Sequence, residues 1–106
     1  MNEKSLSPDL LEKGANLCRF LEKEKDEHLL SEKLFLAISA LCECCYSLNN
    51  PTLSKADIAL LRKNATLEAD KTALYLNALQ SGSYISPAQK ESMAKTLDML
   101  KKETNI

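Results

Sequence analysis

The stretch SKADIALLRKNATLEADKTALYLNALQSGSYI, residues 54–85, decides the fold. Ile58, Leu61, Ala65, Ala69, Thr72, Leu76 and Leu79 recur at helical spacing and so share one face of an α-helix. Ser54 stands where its side chain can cap the first turn, and Asp57 occupies the capping-box position three residues on. Gly82 follows the periodic run, where a helix end calls for a residue with positive φ. A helix over roughly 54–80 is predicted. Leu60, Leu67, Leu74 and Tyr75 add apolar character away from the main face, so this helix has more than one sticky side.

Outward from it, Ser81-Gly82-Ser83 turns the chain, and Ser86-Pro87-Ala88-Gln89 restarts it with a capping box. The helix that follows, expected over 86–102, carries the narrow stripe Met93, Leu97 and Leu100. Upstream, Asn49-Asn50-Pro51 ends a helix expected over 29–48, because proline disfavours helical geometry in the residue before it and Asn tolerates the left-handed conformation. That helix is apolar on most of its circumference: Leu30, Leu34, Ile38, Leu41, Cys42 and Cys45 form one stripe, and Leu29, Phe35, Leu36, Ala40, Cys44 and Tyr46 surround it. Ser7-Pro8-Asp9 reads as a helix start with Ser7 as cap. A first helix over roughly 8–24 follows, with Leu10, Leu11, Ala15, Leu17, Cys18 and Leu21 at helical spacing. The charged run EKEKDEH, residues 22–28, is the expected reversal into the second helix.

Four helices with short connections predict an all-α chain, an antiparallel up-down-up-down four-helix bundle occupying residues 1–106 as one domain. Composition agrees: 44% of residues are hydrophobic, only two are Gly and three Pro, and Leu, Ala, Lys and Glu abound. Fourteen basic residues against fifteen acidic leave a net charge of −1, with no global positive field to attract phosphate backbones or anionic membranes. The longest apolar run, LFLAISALC at 34–42, is too short to span a bilayer. The acidic N-terminal region lacks the basic-then-apolar pattern of a secretory signal, so a cytoplasmic location is expected, with Cys18, Cys42, Cys44 and Cys45 reduced there.

No catalytic constellation stands out, and the chain is expected not to be an enzyme. Cys42 and Cys45 share a helical face while Cys44 points nearly opposite, so these three cannot converge on one metal, and burial as small hydrophobes is the better reading. His28, the single histidine, has no nucleophile at a recognisable spacing, and the Glu-x-x-His pattern of di-iron bundles is absent. Neither a metal nor a cofactor is expected. Residues 51–106 hold eight basic residues against six acidic and residues 1–50 six against nine, a weak asymmetry of +2 against −3. Within it Lys55, Arg62, Lys63 and Lys71 on the long helix are the candidate nucleic-acid contacts, with Lys55 and Arg62 sharing a face. A solvated surface is the competing reading. The surplus apolar residues of the second and third helices, Phe35, Leu36, Tyr46, Leu60, Leu67, Leu74 and Tyr75, are the candidate oligomer interface.

The ordered set Ser54, Ala56, Asp57, Ala65, Glu68, Ala69, Thr72, Tyr75, Leu76 and Leu79, then Ser81-Gly82 and Ile85, resembles the four-helix-bundle family encoded in intervening sequences of bacterial 23S ribosomal RNA genes. That family includes the accessory proteins of diversity-generating retroelements. The resemblance covers roughly 29–100. It implies a compact antiparallel bundle that assembles into a barrel-shaped homopentamer without enzymatic activity, and whose accessory members are basic, bind nucleic acid and associate with a reverse transcriptase. Where the second helix of resembling members carries Arg, Asn and Glu, this chain has Ala37, Cys45 and Leu48. The function expected on this basis is a non-enzymatic, homo-oligomeric binding or assembly module for structured RNA or an RNA-containing complex. The alternative is a protein-only adaptor that docks a partner helix on an exposed apolar face.

Overall fold

The computed structural model describes residues 6–20 and 29–106. Four helices follow one another: α1 Leu6–Phe20, α2 Leu29–Ser47, α3 Lys55–Ser81 and α4 Pro87–Thr104. Each packs on its sequence neighbour, and α4 closes the bundle against α1; the most extensive contact joins α2 to α3. This is the antiparallel four-helix bundle that the apolar spacing predicts.

The core is built from the expected stripes. Leu34, Ile38, Leu41, Cys42 and Cys45 of α2, Ala65, Ala69, Thr72, Leu76 and Leu79 of α3, and Met93, Leu97 and Leu100 of α4 are buried, with Leu10 and Leu17 of α1 beneath them. Ile58 and Leu61, expected on the same face of α3, are half-buried because the first turns of that helix reach the open end of the bundle. Gly14 sets how closely α1 approaches α2: a Cβ there would stand 3.0 Å from Cδ1 of Ile38. Polar ties close the α1–α4 seam, where the ammonium of Lys13 donates to Thr96 Oγ1 at 3.1 Å and to Ser92 Oγ at 3.2 Å. Buried hydroxyls are satisfied locally; Thr72 donates to the Glu68 carbonyl one turn back at 2.8 Å.

The termini of the helices carry three corrections. First, α1 begins at Leu6, ahead of the expected cap at Ser7. Pro8 is accommodated inside the first turn, where a backbone N–H would have no intrahelical partner in any case. The rest of the expected first helix, residues 21–24, and the charged reversal at 22–28 lie outside the described residues.

Second, the α3 end is a Schellman turn whose left-handed residue is Ser83, at φ 64°, while Gly82 has φ −83°. Ser83 N–H donates to the Gln80 carbonyl and Tyr84 N–H to the Leu79 carbonyl, both at 2.9 Å. Gly82 serves space in place of torsional freedom: a Cβ on it would sit 2.8 Å from Cε2 of Tyr84, whose ring folds back over the helix end onto the core. Third, neither Asn49 nor Asn50 takes the left-handed conformation. Asn50 instead uses its side-chain carbonyl to accept from the Thr52 N–H at 3.0 Å and the Thr52 hydroxyl at 2.8 Å, an Asx turn that ends α2.

The start signals act as read. Ser54 Oγ accepts from the Asp57 N–H at 3.1 Å. At α4 the capping box is complete, with Gln89 N–H donating to Ser86 Oγ at 3.1 Å and Ser86 N–H to Gln89 Oε1 at 2.8 Å.

Candidate interaction surface

Residues that leave the core of α2 and α3 build the most distinctive surface of the molecule. On α3, Leu60, Leu67 and Leu74 stand at seven-residue intervals and expose 57%, 54% and 61% of their area. Seven residues are nearly two helical turns, so the three leucines form one row along the outer side of the helix. On α2, Leu29 and Leu36 repeat the same interval at 63% and 67%; Tyr46, ten residues past Leu36 and so about 80° round the helix from it, is 80% exposed beside that row. At one end of the bundle Tyr46 and Leu60 line a shared groove with Leu53, Asp57 and Leu61.

Of the seven residues expected at an interface, Leu36, Tyr46, Leu60, Leu67 and Leu74 thus lie on the surface of the single chain. Phe35 and Tyr75 do not: both are half-buried, Phe35 against Gly14 of α1 and Tyr75 against the core. The sequence reading missed Leu29 as a member of the α2 row, although its distance of seven residues from Leu36 was the available signal. Phe20 and Met99 are further exposed apolar side chains, on α1 and α4.

The basic residues are spread around α3. Lys55, Arg62 and Lys63 are exposed, and Lys71 is half-buried with its ammonium 3.5 Å from Glu68. Lys55 and Arg62 share a side, but nine residues separate Arg62 from Lys71, which turns them about 180° apart on the helix. Asp57, Glu68 and Asp70 are interleaved with them. On one chain the four cations make no continuous patch.

A second concavity, of about 1120 Å³, opens at the end of the bundle where α2 and α4 finish and α3 begins. Cys42, Cys45, Tyr46, Arg62, Leu100 and Glu103 are among the residues around it. Its chemistry is muted. Burial pushes the Cys45 thiol up from its ordinary value, only partly opposed by a hydrogen bond with Thr104. Burial raises Cys44 as well, reinforced by the carboxylates of Glu68 and Glu43. Both are therefore protonated at neutral pH and poor nucleophiles. Cys18, on α1, donates its S–H to the Ser31 carbonyl at 3.1 Å. All four cysteines are thiols. Among the described residues no three His, Cys, Asp or Glu side chains gather as metal ligands, and no helix is long and apolar enough to cross a membrane. His28 lies outside the described residues.

Comparison with known proteins places this geometry. No protein-family model matches the sequence, and no curated protein matches it. Among solved structures, the chain superposes with a TM-score of 0.84 on a crystal structure, at 1.70 Å, of a protein of unknown function from the S23 ribosomal protein family of Bacteroides thetaiotaomicron. The match covers 93% of this chain and 91% of that one at 23% sequence identity. Two chains thus share one four-helix bundle from end to end.

Proposed function

We propose that this chain is a non-enzymatic four-helix-bundle protein that assembles with copies of itself and serves as a binding or assembly module. The observation that carries the reading is the row Leu60, Leu67 and Leu74, three leucines more than half exposed on a helix whose opposite face is buried from Ala65 to Leu79. Such a row is costly to leave in water and marks a surface made to be covered. The non-enzymatic part rests on the family resemblance and on the burial that holds the thiols of Cys44 and Cys45 protonated at neutral pH.

The fold shared with an S23-family protein and the resemblance to intervening-sequence proteins support placing the chain in that wider group, in the cytoplasm, with structured RNA or an RNA-containing complex as partner. The resemblance supports an assembly of five chains. In an assembly the outward Lys55 and Arg62 repeat once per subunit, which is how a near-neutral chain builds a basic rim.

Light scattering coupled to gel filtration over a range of protein concentrations tests the assembly; a multiple of the 11.8 kDa chain mass is expected. A mass of one chain at all concentrations overturns it and leaves the protein-only adaptor, with the α3 row docking a partner helix. Binding of a structured RNA fragment, titrated at rising salt, tests the partner: affinity is expected to fall steeply with salt and to weaken in Arg62→Glu. Absence of binding at low ionic strength removes RNA from the reading.

A further inference from the structure

Tyr46, Leu53, Asp57, Leu60 and Leu61 meet in a groove of about 640 Å³ where the end of α2 passes the start of α3. We propose that this groove docks an arginine of a partner protein, with the guanidinium on Asp57 and Tyr46 and the aliphatic stem on the leucines. The proposal rests on the binding-module part of the reading above and on neither self-assembly nor RNA.

Apolar bulk and one negative charge define what the groove takes. Its other lining residues are Ser47, Asn49 and Asn50, so Asp57 is the one charged group around it and no cation answers it there. The carboxylate is exposed and forms no ion pair among the described residues. Gln89 at the start of α4 turns its side chain back to the N–H of its cap, whereas Asp57 gives Ser54 only a backbone N–H. The nearest cations along α3 look elsewhere: Lys55, Arg62 and Lys63 stand about 160°, 140° and 120° round the helix from Asp57, while Leu61 and Leu60 stand about 40° and 60° from it. An unanswered carboxylate among apolar side chains suits a cation carried on an aliphatic stem. The volume lies within the roughly 300–1,000 Å³ of ordinary small-ligand sites, room for one arginine and the apolar residues beside it.

Tyr46 selects arginine within that class. Its side chain is 80% exposed on the α2 side of the groove, and Leu60 on the α3 side is 57% exposed. A guanidinium is planar, stacks on an aromatic face and meets a carboxylate with two parallel N–H bonds, which a lysine ammonium does not do. The walls are fixed before anything binds. Asn50 closes the end of α2 by accepting from Thr52, and Ser54 Oγ holds the first turn of α3 through the Asp57 N–H. Little ordering then opposes docking. A groove whose one charge is negative repels phosphate, so protein is favoured over nucleic acid at this place.

Amide NMR of the full chain, titrated with the peptide acetyl-Ala-Leu-Arg-Leu-Ala-amide, tests this. Saturable shifts are expected to centre on Tyr46, Asn49, Leu53, Asp57, Leu60 and Leu61. The same peptide with citrulline for arginine keeps the shape, removes the charge, and is expected to bind at least about tenfold more weakly. Asp57→Asn is expected to cost the arginine peptide a similar factor, and Tyr46→Ala about threefold or more. Asn keeps the size of Asp57 and the backbone N–H that meets Ser54, a thermal melt checks the fold, and the citrulline comparison needs no variant. Glu91→Gln, which removes an exposed carboxylate on α4, is expected to change nothing.

No saturable shift at up to about 10 mM arginine peptide overturns the proposal. Equal binding of the two peptides, or equal losses in Glu91→Gln and Asp57→Asn, also overturns it, leaving only general charge attraction. Shifts of the groove amides with a ten-residue oligouridine and none with the arginine peptide would assign the groove to nucleic acid. Shifts of the same amides on raising the protein concentration without peptide would assign it to a second copy; either result overturns the proposal. Mass by light scattering is a separate readout, so failure of this site leaves self-assembly standing and a mass of one chain leaves this site standing.

Discussion

Leu74 and Leu76 are the same residue two positions apart on one helix, yet Leu76 is 1% exposed and Leu74 61%. The inner face of α3 alternates bulk with smallness: Ala65 and Ala69 admit the neighbouring helices near the middle, and Leu76 and Leu79 fill the space toward the end, all buried. The outer face carries Leu60, Leu67 and Leu74 with Lys63, Asp70 and Asn77 between them. The inner row is satisfied within the chain. The outer row is apolar at one position in seven and polar around it, and in the single chain it stays in water. Hydrophobicity alone therefore does not say which leucines belong to the fold. Their angular position relative to neighbouring helices does.

The sharpest way to break this comparison is to truncate one leucine from each row. Leu76→Ala is expected to lower the unfolding free energy by about 2–5 kcal/mol, the range for a fully buried leucine that leaves a cavity. Leu74→Ala, in urea melts dilute enough to hold single chains, is expected to stay within about 0.5 kcal/mol of the parent. Equal losses would mean that the outer row is part of the monomer core.

Next in size, the inward side of α1 is tested at Gly14. Gly14→Leu drives its side chain into Ile38 and Phe35, which stand 3.0 and 3.4 Å from the position of an added Cβ, and is expected to cost about 1–3 kcal/mol by overpacking. The exposed neighbour Glu12→Leu is expected to leave the melting temperature nearly unchanged.

At the α3 end the contrast is between a glycine kept for space and a serine held in the left-handed region. Ser83→Gly is expected to stabilise by up to about 1 kcal/mol, because it relieves a non-glycine residue at φ 64°. Gly82→Ala is expected to destabilise despite the better helix propensity of alanine, because Tyr84 must leave its place; a thermal melt of each variant decides.

The smallest effect is electrostatic and separates the inward Cys45 from the surface. Its thiol value is raised in the fold, first by burial. Below the unperturbed value of 9.0 both folded and unfolded chains hold the proton and nothing is lost. As pH rises from there through the folded value, the unfolded chain ionises first, so stability falls. Melting temperatures above pH 9 are expected to decline less steeply in Cys45→Ala than in the parent, and alkylation of Cys45 at pH 7.5 to be slower than that of an unhindered thiol.

Much of this architecture is legible in the sequence because local rules act alone there. Met93, Leu97 and Leu100 could face only one way, and the Ser86-to-Gln89 capping box needs nothing but its own backbone. The failures share a cause. Gly82 looked like the left-handed residue because glycine tolerates that torsion best, but Tyr84 folding onto the core shifts the turn by one position. Phe35 and Tyr75 looked like interface because they fall off the main stripes, but the close approach of α1 at Gly14 takes up Phe35 and the core takes up Tyr75. The candidate basic set suffers likewise, since Lys71 is drawn to Glu68 while Arg62 turns to the open end of the bundle.

By itself, the sequence determined that the described chain is helical, where α2, α3 and α4 begin and end to within a residue or two, and which stripes are inward, because helical periodicity and capping are set by residues within one or two turns. Tertiary structure decided which of the surplus apolar residues stay in water. It left Leu29, Leu36 and Tyr46 of α2 and Leu60, Leu67 and Leu74 of α3 exposed, and brought Tyr46 and Leu60 to one groove. That outcome depends on how far each helix is rotated and how closely its neighbours approach, and these are properties of the packed bundle that no single helix contains.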